Sequence, residues 1–239
     1  MNVPLRPVVA LLCFVLSLSF AASRFFVTDF AGFDPNQFPV PQDNPPVQPA
    51  GYAFAIWGVI YGWLILGTGW GLIKAMREGA WHDMRLPLCL SLAMGTGWLA
   101  IAVASPIWAS VLIWAMLLSA LAALFVSPTY DRVWAAYPVG LYAGWLSGAS
   151  CVSIGLLLAG YGILDQTTAA LVCVAFAAGL GAFVQAVLGR APTYGMAVIW
   201  ALAGVIVANW QGATPSVAYV ALAGAALVAI PTLATFRRR

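Results

Sequence analysis

The residues best equipped for chemistry in this chain are aromatic. Segment 49–63, PAGYAFAIWGVIYGW, carries Tyr52, Phe54, Trp57, Tyr61 and Trp63. On a 3.6-residue helix Phe54, Trp57 and Tyr61 fall at i, i+3 and i+7, so they share one face. Trp98 follows the thin stretch Gly95-Thr96-Gly97, and Tyr142 and Trp145 lie three residues apart beside a run of glycines. Small residues next to large rings create clefts in which a flat apolar molecule can stack. Tryptophan and tyrosine in membrane helices ordinarily mark the headgroup level, whereas this stripe continues toward mid-depth. Such a wall either packs against another helix or lines a pocket.

Other chemistry is hard to assemble. No Asp, Glu, Lys, Arg or His occurs inside the apolar runs. Ion-coupled transporters and proton pumps place an ionisable group at mid-membrane, which argues against that class. There is no paired carboxylate, Ser/His/Asp set, metal-ligand cluster or phosphate loop, so neither catalysis nor a cofactor nor a metal is expected. Cys13, Cys89, Cys151 and Cys173 all sit in apolar runs without CxxC spacing and read as small packing residues. His82 lies in a polar loop, and Asp131-Arg132 reads as a solvated cap pair. The polar atoms entering the runs belong to Thr68, Ser91, Thr96, Ser119, Ser147, Ser150, Ser153, Gln185 and Asn209. They read as interhelical glue, with Gln185 the one that could instead touch a ligand or a water-filled cavity.

Composition dictates what positions these rings. Apolar residues make up 63% of the chain, charged ones 7%, and mean hydropathy is +0.95. A water-exposed surface needs about 25% charge, so the chain is expected to be an all-α polytopic membrane protein. Its +3 net charge is a topology signal and not a nucleic-acid footprint. Eight runs reach or approach the ~20 residues needed to cross a bilayer: Pro7–Ala22, Tyr52–Ile73, Leu86–Ala104, Ile107–Val126, Trp134–Gly160, Thr168–Gly189, Tyr194–Trp210 and Val217–Phe236. With the N-terminus in the cytoplasm, Arg6, Lys74, Arg77, Arg85, Arg132, Arg190 and Arg237 to Arg239 fall inside, and only Arg24 dissents. Asp29, Asp34, Asp43 and Asp165 then face outward, and both termini are cytoplasmic. Arg6, the first run and Ser19-Phe20-Ala21 also fit a cleavable signal peptide; a retained helix is the reading adopted.

The long connection 24–50 holds Pro35, Pro39, Pro41, Pro45, Pro46 and Pro49 with three aspartates. It reads equally as a semi-rigid cover over the outer mouth and as a solvated spacer. Gly140, Gly144 and Gly148 form a GxxxGxxxG ridge, with Gly58/Gly62 and Gly67/Gly71 as shorter versions. Such ridges serve packing within the monomer or across a homodimer, and the intramolecular role is preferred here. Trp70, Trp108, Trp134 and Trp210 near span ends, and Trp81 in an inner loop, read as interfacial anchors. Trp57, Trp63, Trp98, Trp114, Trp145 and Trp200 lie deeper.

Together these residues resemble the TspO/MBR family, the tryptophan-rich sensory proteins. PAGYAFAIWGVIY at 49–61 is similar to the family's Pro-Pro-Gly-Trp-Val-Phe…Val-Trp-Thr…Leu-Tyr signature, with Pro49, Gly51, Phe54, Trp57 and Tyr61 matching in spacing. YPVGLYAGW at 137–145 resembles the Pro-Tyr-Leu-x-Trp stretch that opens the fifth helix, with Tyr142 where tryptophan is usual. The chain departs from the family in carrying no asparagine across 93–97 before Trp98, and Ser150 and Ser153 in place of asparagines on the fifth helix. The resemblance covers about 5–160 and implies a TspO-like five-helix membrane domain (1–160) beneath the 24–50 loop. Residues 161–239 would form a three-helix C-terminal extension, as in longer, eight-span relatives. It implies a bacterial cytoplasmic membrane protein that binds a tetrapyrrole or sterol-like, lipid-like molecule in a sensory, regulatory or carrier role. Phe54, Trp57, Tyr61, Trp98, Tyr142 and Trp145 would be the ligand-binding residues. Two other classes stay open: an uncoupled facilitator, suggested by the echo between 52–60 and 194–206, and a scaffold subunit docking through glycine ridges.

Overall fold

The computed structural model describes residues 5–26 and 32–237. Asp29, Arg238 and Arg239 lie outside the described residues. Eight α-helices follow in order: α1 (Leu5–Ser23), α2 (Ile56–Lys74), α3 (Gly79–Ala104), α4 (Pro106–Phe125), α5 (Tyr137–Gly160), α6 (Gln166–Leu188), α7 (Thr193–Asn209) and α8 (Pro215–Arg237). Together with the turns that lead into them, seven are long and apolar enough to cross a membrane; α7, with 17 residues, is shorter. The protein is an all-helical integral membrane protein. Inside a bilayer every backbone polar group needs an internal partner, and helices supply it within one segment.

The helix boundaries follow local chemistry. Ser105 accepts a bond from the Trp108 N–H at 3.4 Å and Pro106 opens α4, where a missing N–H costs nothing. Asp165 accepts from the Thr167 and Thr168 N–H groups, each at 3.0 Å, to start α6. Gly189, at φ 59°, ends α6 in the left-handed region that suits glycine. Short turns lead into two helices: a 3₁₀ turn at Gly51–Ala55 precedes α2, and a π turn at Arg132–Ala136 precedes α5.

One expectation is corrected between α2 and α3. Residues 79–85 are helical, not loop, and Trp81 is buried instead of anchoring at the interface. A Cβ on Gly71 would come within 2.4 Å of the Trp81 ring, so the glycine admits the indole. Arg85, also buried, stacks 5.2 Å from that ring and donates to the carbonyls of Gly71 (2.7 Å), Ala75 (3.2 Å) and Met76 (3.4 Å). Those carbonyls lie at and just beyond the C-terminal end of α2, where a cation is favoured. Arg190 does the same for α4, donating to Leu124 and Phe125 at 2.9 and 2.7 Å.

The two ends of the bundle differ. Arg6 donates to Arg77 O at 2.8 Å, Tyr130 to Glu78, and Arg190 to Ser127 O at 2.9 Å, which joins the α1 start to the 2–3, 4–5 and 6–7 connections. Gln185 belongs to this end: it donates to Arg190 O (2.9 Å) and accepts from Gly195 N–H (2.8 Å), so its amide ties α6 to α7. At the opposite end the 32–50 segment folds over the helices as a cover. Gln37 donates to Ala102 O and Val103 O (3.1 and 2.7 Å), Val40 N–H to Gly160 O (2.9 Å), and Asn209 to Pro46 O (2.9 Å).

The most buried helix is α5, packed by α4, α6 and α7. Its glycine ridge faces α7: a Cβ on Gly144 would lie 2.2 Å from Tyr194 O and 2.9 Å from the Ala197 Cβ, and one on Gly140 2.7 Å from Thr193 Oγ1. Gly58 and Gly62 behave differently, with nothing within 4 Å of either added Cβ. A Gly144→Ala variant is therefore expected to lose about 1–3 kcal/mol from overpacking, while Gly62→Ala stays within about 0.5 kcal/mol of the parent. Thermal unfolding of the purified variants in detergent checks both, and equal stability of the two would contradict the packing described.

Candidate functional site

The aromatic segment is held in place by α7. Ala50 N–H donates to Gly204 O at 3.0 Å, and the Trp200 indole N–H donates to Ala53 O at 2.9 Å. Pro49 lies so close to α7 that a Cβ on Gly204 would come within 2.7 Å of it. Tyr52 adds an edge contact to Trp200 at 5.7 Å. Phe54 thus sits in the 3₁₀ turn and not on α2, yet it faces the same volume as Trp57 and Tyr61.

That volume is a cavity of about 310 Å³ bounded by α1, α2, α3, α4 and α5. Phe54, Trp57, Tyr61, Trp98 and Trp145 line it, so five of the six residues singled out from the sequence come together. Trp57 stacks on Tyr61 at 5.3 Å and meets Trp145 edge-on at 6.1 Å; Phe54 meets Trp145 at 5.8 Å. Trp98 is oriented by its N–H, which donates to Ala109 O at 2.9 Å.

Tyr142 is the exception. It is fully buried behind the wall, 6.5 Å from Trp57, with its hydroxyl bonded to Ser91 at 2.9 Å. It supports the wall and does not line the cavity.

Sequence reasoning missed Phe20 and Arg24. Phe20, on α1, touches Trp57, Tyr61 and Tyr142 at 5.8, 5.1 and 5.7 Å and is the hub of the cluster. The signal was present in Gly95, where a Cβ would lie 2.6 Å from the Phe20 ring. Arg24 lines the cavity one turn further along.

A smaller cavity of about 80 Å³ adjoins the first, between the cover and α5, α6 and α7. Phe54, Trp98, Ile113, Trp145 and Ala149 line both volumes. Phe33 of the cover approaches Trp98 at 6.5 Å. Val47 packs against Gly155, where a Cβ would meet it at 2.8 Å.

Chemically, the larger site offers ring faces and edges, sulfur from Met116 and one guanidinium. The Trp145 indole N–H is buried without an acceptor among the described residues. Rings in this arrangement hold planar apolar matter by edge and face contacts. At about 310 Å³ the cavity lies at the lower end of the ~300–1,000 Å³ range of small-molecule sites.

Comparison with known proteins gives one family. A family model described as TSPO-like protein matches residues 10–234, which takes in α2 to α7 whole and most of α1 and α8. No curated protein and no solved structure matches the chain. A polytopic helical chain matched by one family model from α1 into α8 belongs to the TSPO-like protein family.

Proposed function

We propose that this protein binds a planar hydrophobic molecule, of tetrapyrrole or sterol-like character, within the aromatic cavity, in a sensory, regulatory or carrier role. The observation that carries the reading is the convergence of Phe20, Phe54, Trp57, Tyr61, Trp98 and Trp145 on one volume. Rings that merely packed a core would leave no such space, because protein interiors are filled to crystal density. No acid–base pair accompanies the rings, so the reading is binding and not turnover. In this reading the cation-bearing end faces the cytoplasm and the covered end the outer side of a bacterial cytoplasmic membrane, with both termini cytoplasmic.

Titration of the purified protein with protoporphyrin, followed by tryptophan quenching, is expected to saturate. Each aromatic contact contributes ~0.5–1.5 kcal/mol, so Trp57→Leu combined with Trp145→Leu should weaken affinity roughly tenfold or more. An unchanged dissociation constant would remove the site from this cavity. Tyr142→Phe separates wall from support: losing the bond to Ser91 should cost about 0.5–1.5 kcal/mol of thermal stability and leave ligand affinity as it was. A large affinity change in that variant would place Tyr142 at the ligand after all.

A further inference from the structure

We infer that the molecule held in this cavity is an amphiphile, with an anionic oxygen head group bound by Arg24 and its flat apolar body against the aromatic wall. This rests on the cavity being a ligand site, as proposed above.

Three observations converge on Arg24. It lines the cavity, and it lies four residues after Phe20, so the end of α1 and the turn that follows it present the hub ring and a guanidinium to the same volume. It is also misplaced by charge. Arg6, Lys74, Arg77, Arg85, Arg132, Arg190 and Arg237 all belong to the opposite end of the bundle or the approaches to it. A cation at the covered end opposes the charge asymmetry that orients membrane helices, so its position calls for a local reason.

Its donors are also uncommitted. Among the described residues Arg24 donates no hydrogen bond and forms no ion pair, and its one ring contact is Phe25 at 5.9 Å. Phe25 is 76% exposed, where a cation–π contact is weak. Two carboxylates of this end are otherwise engaged: Asp34 closes a capping box on the cover and Asp165 caps α6. Arg24 is exposed, and the contrast with Arg85 and Arg190 at the opposite end is plain. Arg85 and Arg190 have their guanidinium groups filled by backbone carbonyls.

A guanidinium at the rim of an apolar pocket matches a carboxylate or phosphate in fork geometry, and it does so most strongly where water is partly excluded. Such a residue selects among apolar bodies of equal size by their heads. It also sets direction: the head stays at the covered end while the rings enter first, toward Tyr61 and Met116.

The test uses a matched pair of probes, 1-pyrenebutyric acid and 1-pyrenebutanol, which share a ring system and differ in the head. Binding to the full-length protein in non-ionic detergent is read by energy transfer from tryptophan to pyrene at neutral pH. The acid is expected to bind about tenfold tighter than the alcohol, as befits a charge-assisted bond, and added salt should narrow the gap. Arg24→Gln should weaken the acid about tenfold while weakening the alcohol far less, so that the gap closes, and Arg24→Lys should restore part of the preference. Saturable binding of the alcohol by Arg24→Gln also reports that the variant is folded. Equal binding of both probes by the parent protein, or a preference that persists in Arg24→Gln, overturns the head-group inference and leaves the cavity assignment standing. Failure of both probes to bind saturably overturns the cavity assignment with it.

Discussion

The close approach of α5 to α7 is the constraint on which the rest of the structure depends. In a bilayer the lipid tails are as apolar as the side chains, so helices associate by packing and hydrogen bonding and not by hydrophobic exclusion. Gly140, Gly144 and Gly148 remove the side chains that would hold α7 away, and Tyr194 then reaches Ser147 across the gap at 2.9 Å. With α7 fixed, Gly204 and Trp200 are in position to hold residues 50–53 by two hydrogen bonds. That grip sets where Phe54 stands and the angle at which α2 leaves. The aromatic wall is therefore aimed by a helix that contributes nothing to the larger cavity.

The same arrangement gives the C-terminal helices a structural role in the site. The smaller cavity is walled by α5, α6, α7 and the cover, and shares a layer of side chains with the larger one. The motifs quoted from the sequence end before residue 160, but the family match runs on to residue 234. In space α6 and α7 both pack directly on α5, and the cover bonds to α3, α5 and α7. The core and the extension share one interior.

Much of this was legible from the residues alone, because punctuation and periodicity are local. The Ser-Pro, Asp and Gly breaks lie where the helices end, and the 49–63 stripe faces one volume even though its first ring sits in a 3₁₀ turn. The GxxxGxxxG pattern located a tight contact within the monomer. What escaped needed knowledge of the partner. Gly58 and Gly62 carry the same spacing as the α5 ridge but meet nothing within 4 Å. Trp81 and Arg85 lie in a stretch polar enough to read as loop, yet Gly71 admits the indole and the carbonyls at the end of α2 hold the guanidinium. Phe20 was hidden in what resembled a signal-peptide cleavage region, and Tyr142 was assigned to the wall when its hydroxyl points it at Ser91. Gln185, the most conspicuous polar residue of the sixth run, turned out to join two helix ends.

The bond from Asn209 to the Pro46 carbonyl links residues 163 positions apart. Chains emerge and insert from the N-terminus onward, and elements fold as their partners appear. Segment 32–55 leaves the ribosome early and finds Ala102 and Val103 of α3 soon after, but its other holds, Gly160, Trp200, Gly204 and Asn209, arrive only after five to seven helices. Until then the aromatic segment has only part of its cover and none of its grip. In this chain the pocket is among the last features of the bundle to be completed, and its completion reports that nearly the whole protein has been assembled.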